Sequence, residues 1–166
     1  MFEFNRFHPT DYARGREFVA ALDQFLAKLP QGWPYGVEIR NRSFLHPDYF
    51  AVLARHQVAH VYNSWSDMPP VGEQMAMAGR VTNPHLCGAR FLLQPGRKYQ
   101  EAVDRFSPYD RVQEPNPAAR AAGAKLIKEG AAVAGKRKTF IYVNNRLEGN
   151  ALGTIAAMIE QAGGAA

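Results

Sequence analysis

Two carboxamides and a guanidinium directly follow the apolar run TFIYV, and they are the most informative polar feature of the sequence. These residues are Asn144, Asn145 and Arg146. In proteins built from parallel strands and helices, ligand sites form where buried strands end. We therefore predict that all three residues bind a substrate. Glu148 and Asn150 follow, but a first-turn carboxylate and a helix cap explain these two equally well.

Glu38 and Arg40 form a second polar pair, inside the strand-like run 35–40. Side chains alternate along a strand, so the two residues share one face. A buried carboxylate beside a guanidinium is costly unless the two are paired, and such a pair can serve the fold alone by fixing strand register. In an enzyme, the carboxylate is an acid or a base and the guanidinium holds an anion. On this second interpretation Glu38 and Arg40 are catalytic.

Two further strand ends carry candidate substrate-binding residues. Asn63 and Trp65 follow the third run, and a carboxamide beside a flat aromatic ring is typical of sugar or base recognition. A loop tied to its own backbone is the alternative. Arg97 and Tyr99 lie in the turn after the fourth run, where they are suited to a phosphate or carboxylate. That turn lacks the glycine spacing of a P-loop, so a solvated turn is the simpler interpretation.

Five strand-like runs alternate with helix-like runs, which predicts an α/β protein whose parallel strands are joined by helical crossovers. Residues 63–84 are predicted to form a long loop with a short helix near 73–78, and residues 96–116 a second loop. Five strands cannot close an eight-stranded barrel, and the residues alone favour an open sheet. The predicted strands are 2–4, 35–40, 59–63, 89–94 and 139–143, and the predicted helices are 11–29, 47–56, 117–134 and 150–162.

Length and charge place the chain among globular proteins of one domain. It has 166 residues, 46% of them hydrophobic, and a net charge of +5, which indicates a soluble basic surface rather than nucleic-acid binding. The lone Cys87 is expected to be a buried structural thiol. The five histidines have no metal-ligand spacing, so we assign no metal ligand, and nothing identifies a cofactor. With neither a signal peptide nor a membrane span in the sequence, we expect a cytoplasmic protein.

Four motifs, in this order, resemble the YecE-like family, which is domain of unknown function number seventy-two. The resemblance extends from Phe2 to about Ala162 and implies a TIM-type (β/α) barrel, distantly similar to sugar isomerases and endonuclease-like barrels, with no settled activity. It implies no particular substrate. The four motifs are VEIRNRSF at 37–44, NSWSDMPP at 63–70, PGRKY at 95–99 and FIYVNNRLEGNA at 140–151.

Members of this family are typically longer, with about three more strand–helix units ahead of the point where this chain begins. The resemblance therefore implies a partial barrel of about five strands, in one N-terminally truncated domain over residues 1–166. About three-eighths of the rim would be absent, and two sheet edges would be open. We expect a fragment of a longer barrel; a homodimer that pairs the open edges is the alternative.

Three functions follow from these observations. The first is an enzyme acting on a polar, carbohydrate-like or phosphorylated substrate, with Trp65 as a stacking wall and a small polar or anionic ligand as its partner. The second is a nucleic-acid-binding or nuclease-related barrel, suggested by the arginine content and by Tyr99 and Tyr109 on loops. The basic residues are scattered along the sequence and form no stripe, so we rank this function below the first. The third is a fragment without activity of its own.

Overall fold

A computed structural model of the protein describes residues 1–133 and 135–164. Five parallel strands form one sheet in the order β1-β2-β3-β4-β5, and helices connect them. The predicted α/β fold is confirmed, and the sheet does not close, as expected for part of a TIM-type barrel. The strands are β1 (Phe2–Phe4), β2 (Gly36–Ile39), β3 (Ala59–Ser64), β4 (Leu86–Phe91) and β5 (Lys138–Val143).

The helices begin at the end of the sheet where the strands finish, and polar caps start three of them. His46 accepts a hydrogen bond from an N–H of α2, Asn116 from an N–H of α5, and Asn150 from the Gly153 N–H of α6 at 2.8 Å. The predicted Asn150 cap is therefore confirmed. The helices are α1 (Gly15–Leu26), α2 (Pro47–Arg55), α3 (Val71–Gln74), α4 (Tyr99–Phe106), α5 (Pro117–Ala131) and α6 (Ala151–Gln161), with a 3-10 turn at Arg42–Phe44. The predicted end of the third long helix, residue 134, lies outside the described residues.

Helices cover only one face of the sheet. Val37 and Ile39 of β2 pack against α1 and α2, while Ala89 and Phe91 of β4 pack against α5 and α6. Helices α5 and α6 approach closely at Gly123, where an added Cβ would lie 2.3 Å from the sulfur of Met158. No helix of the described residues packs on the opposite face, here called the open face. Its β5 residues are exposed: Phe140 to 46% and Tyr142 to 55%.

The fourth strand begins three residues earlier than predicted, at Leu86 instead of residue 89. The segment from Leu86 to Phe91 pairs with β5 along its whole length, and Gly88 leaves room for the Val61 side chain. After Phe91 the chain leaves the sheet. Leu93 then packs against the helix that follows.

The segment 96–116 was predicted to be a loop, and this prediction was wrong, because it contains α4. Ala102 and Phe106 lie one turn apart in α4 and are both fully buried against Leu93. The apolar residues of this segment, at positions 99, 102, 103 and 106, follow the i, i+3, i+4, i+7 spacing of an amphipathic helix, so the signal was present in the sequence and was missed. The short helix predicted near 73–78 forms earlier, at Val71–Gln74. There the Gln74 side chain accepts a hydrogen bond from the Asn63 N–H and donates to the Asn63 and Pro69 carbonyl oxygens.

Candidate functional site

Two carboxylates and two guanidiniums meet on the open face, near the carboxyl ends of the strands. We call Glu3, Glu38, Arg40 and Arg90 the inner cluster. Glu3 and Glu38 are paired in the register of β1 and β2, so their side chains share a face. Glu38 Oε1 lies 3.3 Å from Arg40 Nε, and Glu38 Oε2 lies 2.7 Å from Arg90 Nη1. Both guanidiniums also contact Glu3, so the cluster is balanced in charge.

Glu38 is the buried centre of this cluster, with no exposed surface. Burial raises its pKa above the ordinary glutamate value, because the charged form loses water. Hydrogen bonding and charge from Arg90, and the charge of Arg40, oppose that rise, while the charge of Glu3 adds to it. A carboxyl group with a raised pKa can give up or take a proton nearer neutral pH, as a general acid or base must.

Asn63 and Trp65 border the inner cluster. The Arg40 guanidinium lies over the Trp65 ring, 4.1 Å from its centroid. Asn63 is fully buried and is paired with Arg90 in the register of β3 and β4. Its Nδ2 donates to the Ile39 carbonyl oxygen at 3.0 Å, whereas its Oδ1 has no partner within the described part of the chain. The structure thus brings together four of the predicted site residues.

The remaining predicted residues lie at the ends of β4 and β5, in contact with one another or with nearby loops. The Arg146 guanidinium stacks on Tyr99, 4.5 Å from the ring centroid. Asn144 Oδ1 accepts a hydrogen bond from the Arg146 backbone N–H, and Asn145 Oδ1 accepts one from the Ala151 N–H. Arg97 behaves differently, because its Nη2 lies 2.9 Å from Glu114 and its guanidinium lies over Phe106. Arg97 is therefore already paired.

Glu3 and Arg90 belong to the inner cluster, although neither was predicted as a site residue. Glu3 stands between two phenylalanines in β1, and Arg90 stands within the apolar run of β4. The sequence did contain a signal for both residues: each is a charged residue that alternates with apolar residues in a strand, so its side chain lies on the other face of the sheet. Their shared contact with Glu38 depends on how β1, β2 and β4 are arranged, which one segment cannot reveal.

Several other buried polar residues serve the fold. Glu148, with no exposed surface, accepts hydrogen bonds from Arg120 and from the Thr154 hydroxyl. His60 is buried beside Tyr49, whose oxygen lies 3.1 Å from His60 Nδ1, and burial lowers the pKa of this histidine to about 4. Cys87 is buried as predicted, and burial raises the pKa of its thiol. Glu148 therefore stabilises the fold with a buried ion pair instead of lining a site.

A cleft of about 840 Å³ lies at the opposite end of the sheet. Tyr35, Val58, Leu86 and Lys138 line it, and all four lie at or just before the starts of strands. It contains none of the predicted site residues. Within residues 1–133 and 135–164, no group of three or more His, Cys, Asp or Glu side chains is placed to hold a metal ion. No helix among these residues is long and apolar enough to cross a membrane.

Comparisons with known proteins agree on one family. The family model described as "Protein of unknown function DUF72" matches residues 4–166. Two crystal structures of a DUF72 family protein, EF0366 from Enterococcus faecalis V583, are similar to this chain. One has a TM-score of 0.57 and 19% identity, over 89% of this chain and 54% of that protein. The other has a TM-score of 0.59 and 18% identity, over 96% and 59%. No curated protein matches.

Proposed function

Since this chain belongs to the DUF72 family of proteins of unknown function, we propose that it is an enzyme acting on a polar, carbohydrate-like or phosphorylated substrate at the carboxyl ends of its strands. The family assignment confirms the resemblance to YecE-like proteins. The inner cluster carries the proposal. It holds a carboxylate without solvent exposure beside two guanidiniums, and an indole ring and a buried carboxamide adjoin it.

In this proposal Glu38 is the general acid or base, because burial raises its pKa and its side chain lies on the open face of the sheet, beside Glu3. Arg40 was predicted to hold an anion. Its guanidinium already contacts Glu3 and Glu38, so we assign it the orientation of Glu38 instead. Trp65 offers a flat surface to the apolar side of a sugar ring. Asn63 is the orienting group, and its buried Oδ1, which has no partner among the described residues, meets a substrate hydroxyl only when the side chains around it move.

The experiment is a turnover screen of the whole chain against sugars and sugar phosphates, followed by NMR of the small molecules. Glu38→Gln should abolish turnover on any active compound while the circular dichroism spectrum stays that of the wild type. Glu148→Gln is the matched control. It also neutralises a fully buried carboxylate, but one bound to Arg120, and it should lower stability while turnover per folded molecule is kept. Full turnover by Glu38→Gln would reject the assigned role.

A nucleic-acid-binding or nuclease-related barrel is the second proposal. It draws on the excess of arginine and on Trp65, Tyr99 and Tyr109 near the carboxyl ends of the strands. Many of the arginines are paired with carboxylates, which lowers their attraction for phosphate backbones and ranks this function second. Binding to single- or double-stranded DNA and RNA should weaken steeply with salt. Binding that is absent, or unaffected by salt, contradicts this proposal.

The chain spans 54% and 59% of the lengths of the two solved relatives. The activity of a whole family member is therefore itself a proposal for this chain. A third proposal follows, in which the isolated chain has no activity. Its expected outcome is that the wild-type chain turns over no compound of the screen, although it is folded.

A further inference from the structure

We propose that Arg146, stacked on Tyr99, binds an anionic group of the ligand, so that the ligand carries a phosphate or a carboxylate. This inference rests on the proposed function, because it places the same ligand at the same ends of the strands. It moves the anion-binding role from Arg40 to Arg146. Three observations support it: the charges already paired around the site, the geometry of the stack, and the donors beside it.

The arginines of the inner cluster already have carboxylate partners. Arg40 and Arg90 share Glu3 and Glu38. A guanidinium paired in this way gains little from a further anion, since a second acceptor must compete with the first for the same N–H groups.

Arg97, at the end of β4, is likewise neutralised. It lies 2.9 Å from Glu114 and 3.4 Å from Glu101. Arg146, in contrast, has no ion pair with any residue in the described part of the chain. Of the partly buried guanidiniums at this end of the sheet, Arg146 is thus the one that has no carboxylate partner among residues 1–133 and 135–164.

The stack covers a face of the Arg146 guanidinium, and the guanidinium N–H groups have no acceptor within the described residues. Its Cζ lies 4.5 Å from the centroid of the Tyr99 ring, so the ring covers a face of the planar guanidinium. The five N–H donors lie in the plane of that group and point away from the ring. The Nε atom is buried and has no acceptor within the described residues. An oxyanion that approaches the guanidinium from an Nη and displaces the atoms covering Nε would satisfy this donor and gain two charge-assisted hydrogen bonds.

The loop around Arg146 supplies further donors. Asn144 and Asn145 use their Oδ1 atoms to accept backbone hydrogen bonds from Arg146 and Ala151, at 3.0 and 2.8 Å. Neither Nδ2 atom has an acceptor within residues 1–133 and 135–164. The only carboxylate of the loop, Glu148, is turned inward to Arg120. Two carboxamide donors and one guanidinium, with no exposed carboxylate between them, favour an anion over a cation or a neutral hydroxyl.

The test uses inorganic phosphate as the probe and the whole chain with labelled arginine. The Arg146 Nε–H resonance should shift and saturate on addition of phosphate at constant ionic strength, whereas sodium chloride alone should leave it unshifted. Arg146→Gln should weaken phosphate binding at least tenfold. Arg146→Lys, which keeps the charge but loses the fork, should give an intermediate loss. Lys136→Gln is the control, since Lys136 is an exposed cation lining the cleft at the opposite end of the sheet.

Phosphate binding that fails to saturate, that survives Arg146→Gln, or that weakens equally in Lys136→Gln overturns the inference. The variant Glu38→Gln separates this inference from the proposed reaction. It should keep the phosphate-induced shift of the Arg146 Nε–H resonance, because Glu38 belongs to the inner cluster and makes no contact with Arg146. If Glu38→Gln keeps turnover while Arg146→Gln loses phosphate, only the proposed catalytic role fails. If turnover depends on Glu38 but phosphate does not bind, only the anion site fails.

Discussion

His60 should make the protein lose stability as the pH falls from neutrality. Burial lowers the pKa of His60 to about 4 from the ordinary value of 6.5. The unfolded chain therefore binds a proton on this residue at a higher pH than the folded chain does. Between pH 6.5 and pH 4 the unfolded state binds a proton on His60 and the folded state does not, so acidification favours unfolding. Neutral His60 therefore makes its full contribution to the free energy of unfolding above pH 6.5 and loses it as the pH falls.

The size of this loss follows from the two pKa values. Each unit of difference corresponds to about 1.4 kcal/mol, so the whole effect is about 3 kcal/mol. Between pH 7.5 and pH 5.0 the loss attributable to His60 is about 2 kcal/mol, from the ratio of proton binding in the two states. His60 lies between the rings of Tyr49, Phe50 and Tyr62, with no carboxylate among these contacts to favour its charged form.

Urea unfolding at pH 7.5 and 5.0, followed by circular dichroism, measures the effect. His60→Leu should reduce the stability lost between the two pH values by about 2 kcal/mol relative to the wild type, whatever the packing cost of the substitution. His60→Gln provides a second non-titrating side chain if leucine does not fold. His8→Gln, at an exposed histidine, should retain the wild-type difference. Equal losses in the wild type and in both His60 variants would refute the reasoning.

Two further outcomes are expected. Arg120→Met should lower the free energy of unfolding in urea by about 3–5 kcal/mol, because it leaves Glu148 buried without its cation. The double variant with Glu148→Gln should recover part of that loss. A loss below about 1 kcal/mol in Arg120→Met contradicts this expectation. If two copies of the chain pair through the open face and the sheet edges, the melting temperature should rise with protein concentration. Tyr142→Lys, at an exposed residue of that face, should remove the rise. A stable monomer at high dilution contradicts the homodimer.

The order and type of the main elements could be predicted because each carries its own local signal. The α1 helix repeats apolar residues every three or four positions, and β3 is a short apolar run between turns. Pro47 and Asn150 mark helix starts through backbone geometry and capping, so those boundaries agree with the structure to within one residue. The parallel sheet follows from the alternation of these elements.

The rest depends on contacts between segments that are distant in the sequence. Helix α4 had a local signal in its apolar residues at positions 99, 102, 103 and 106, but its burial against Leu93 and Trp65 could be seen only in the structure. Two of the four residues of the inner cluster, Glu38 and Arg40, could be predicted, because they lie two positions apart in one segment of the sequence. Arg90 comes from β4, 52 residues away from Glu38.

The sequence also could not show which charged side chains form ion pairs with one another. Arg97 and Arg146 have the same chemistry in the same kind of loop, and only the structure assigns Glu114 to Arg97. Sequence patterns therefore identified where polar residues gather but not which of them compensate one another.

The side-chain amide of Gln74 takes the place of a neighbouring peptide group beside β3. It exchanges hydrogen bonds with the N–H and the carbonyl oxygen of Asn63, and it also holds the Pro69 carbonyl oxygen. The connection between β3 and β4 is therefore hydrogen-bonded to Asn63, the residue of β3 that borders the inner cluster. A substitution at Gln74 would therefore act on the Asn63 backbone, although Gln74 forms no ion pair or hydrogen bond with a residue of the inner cluster.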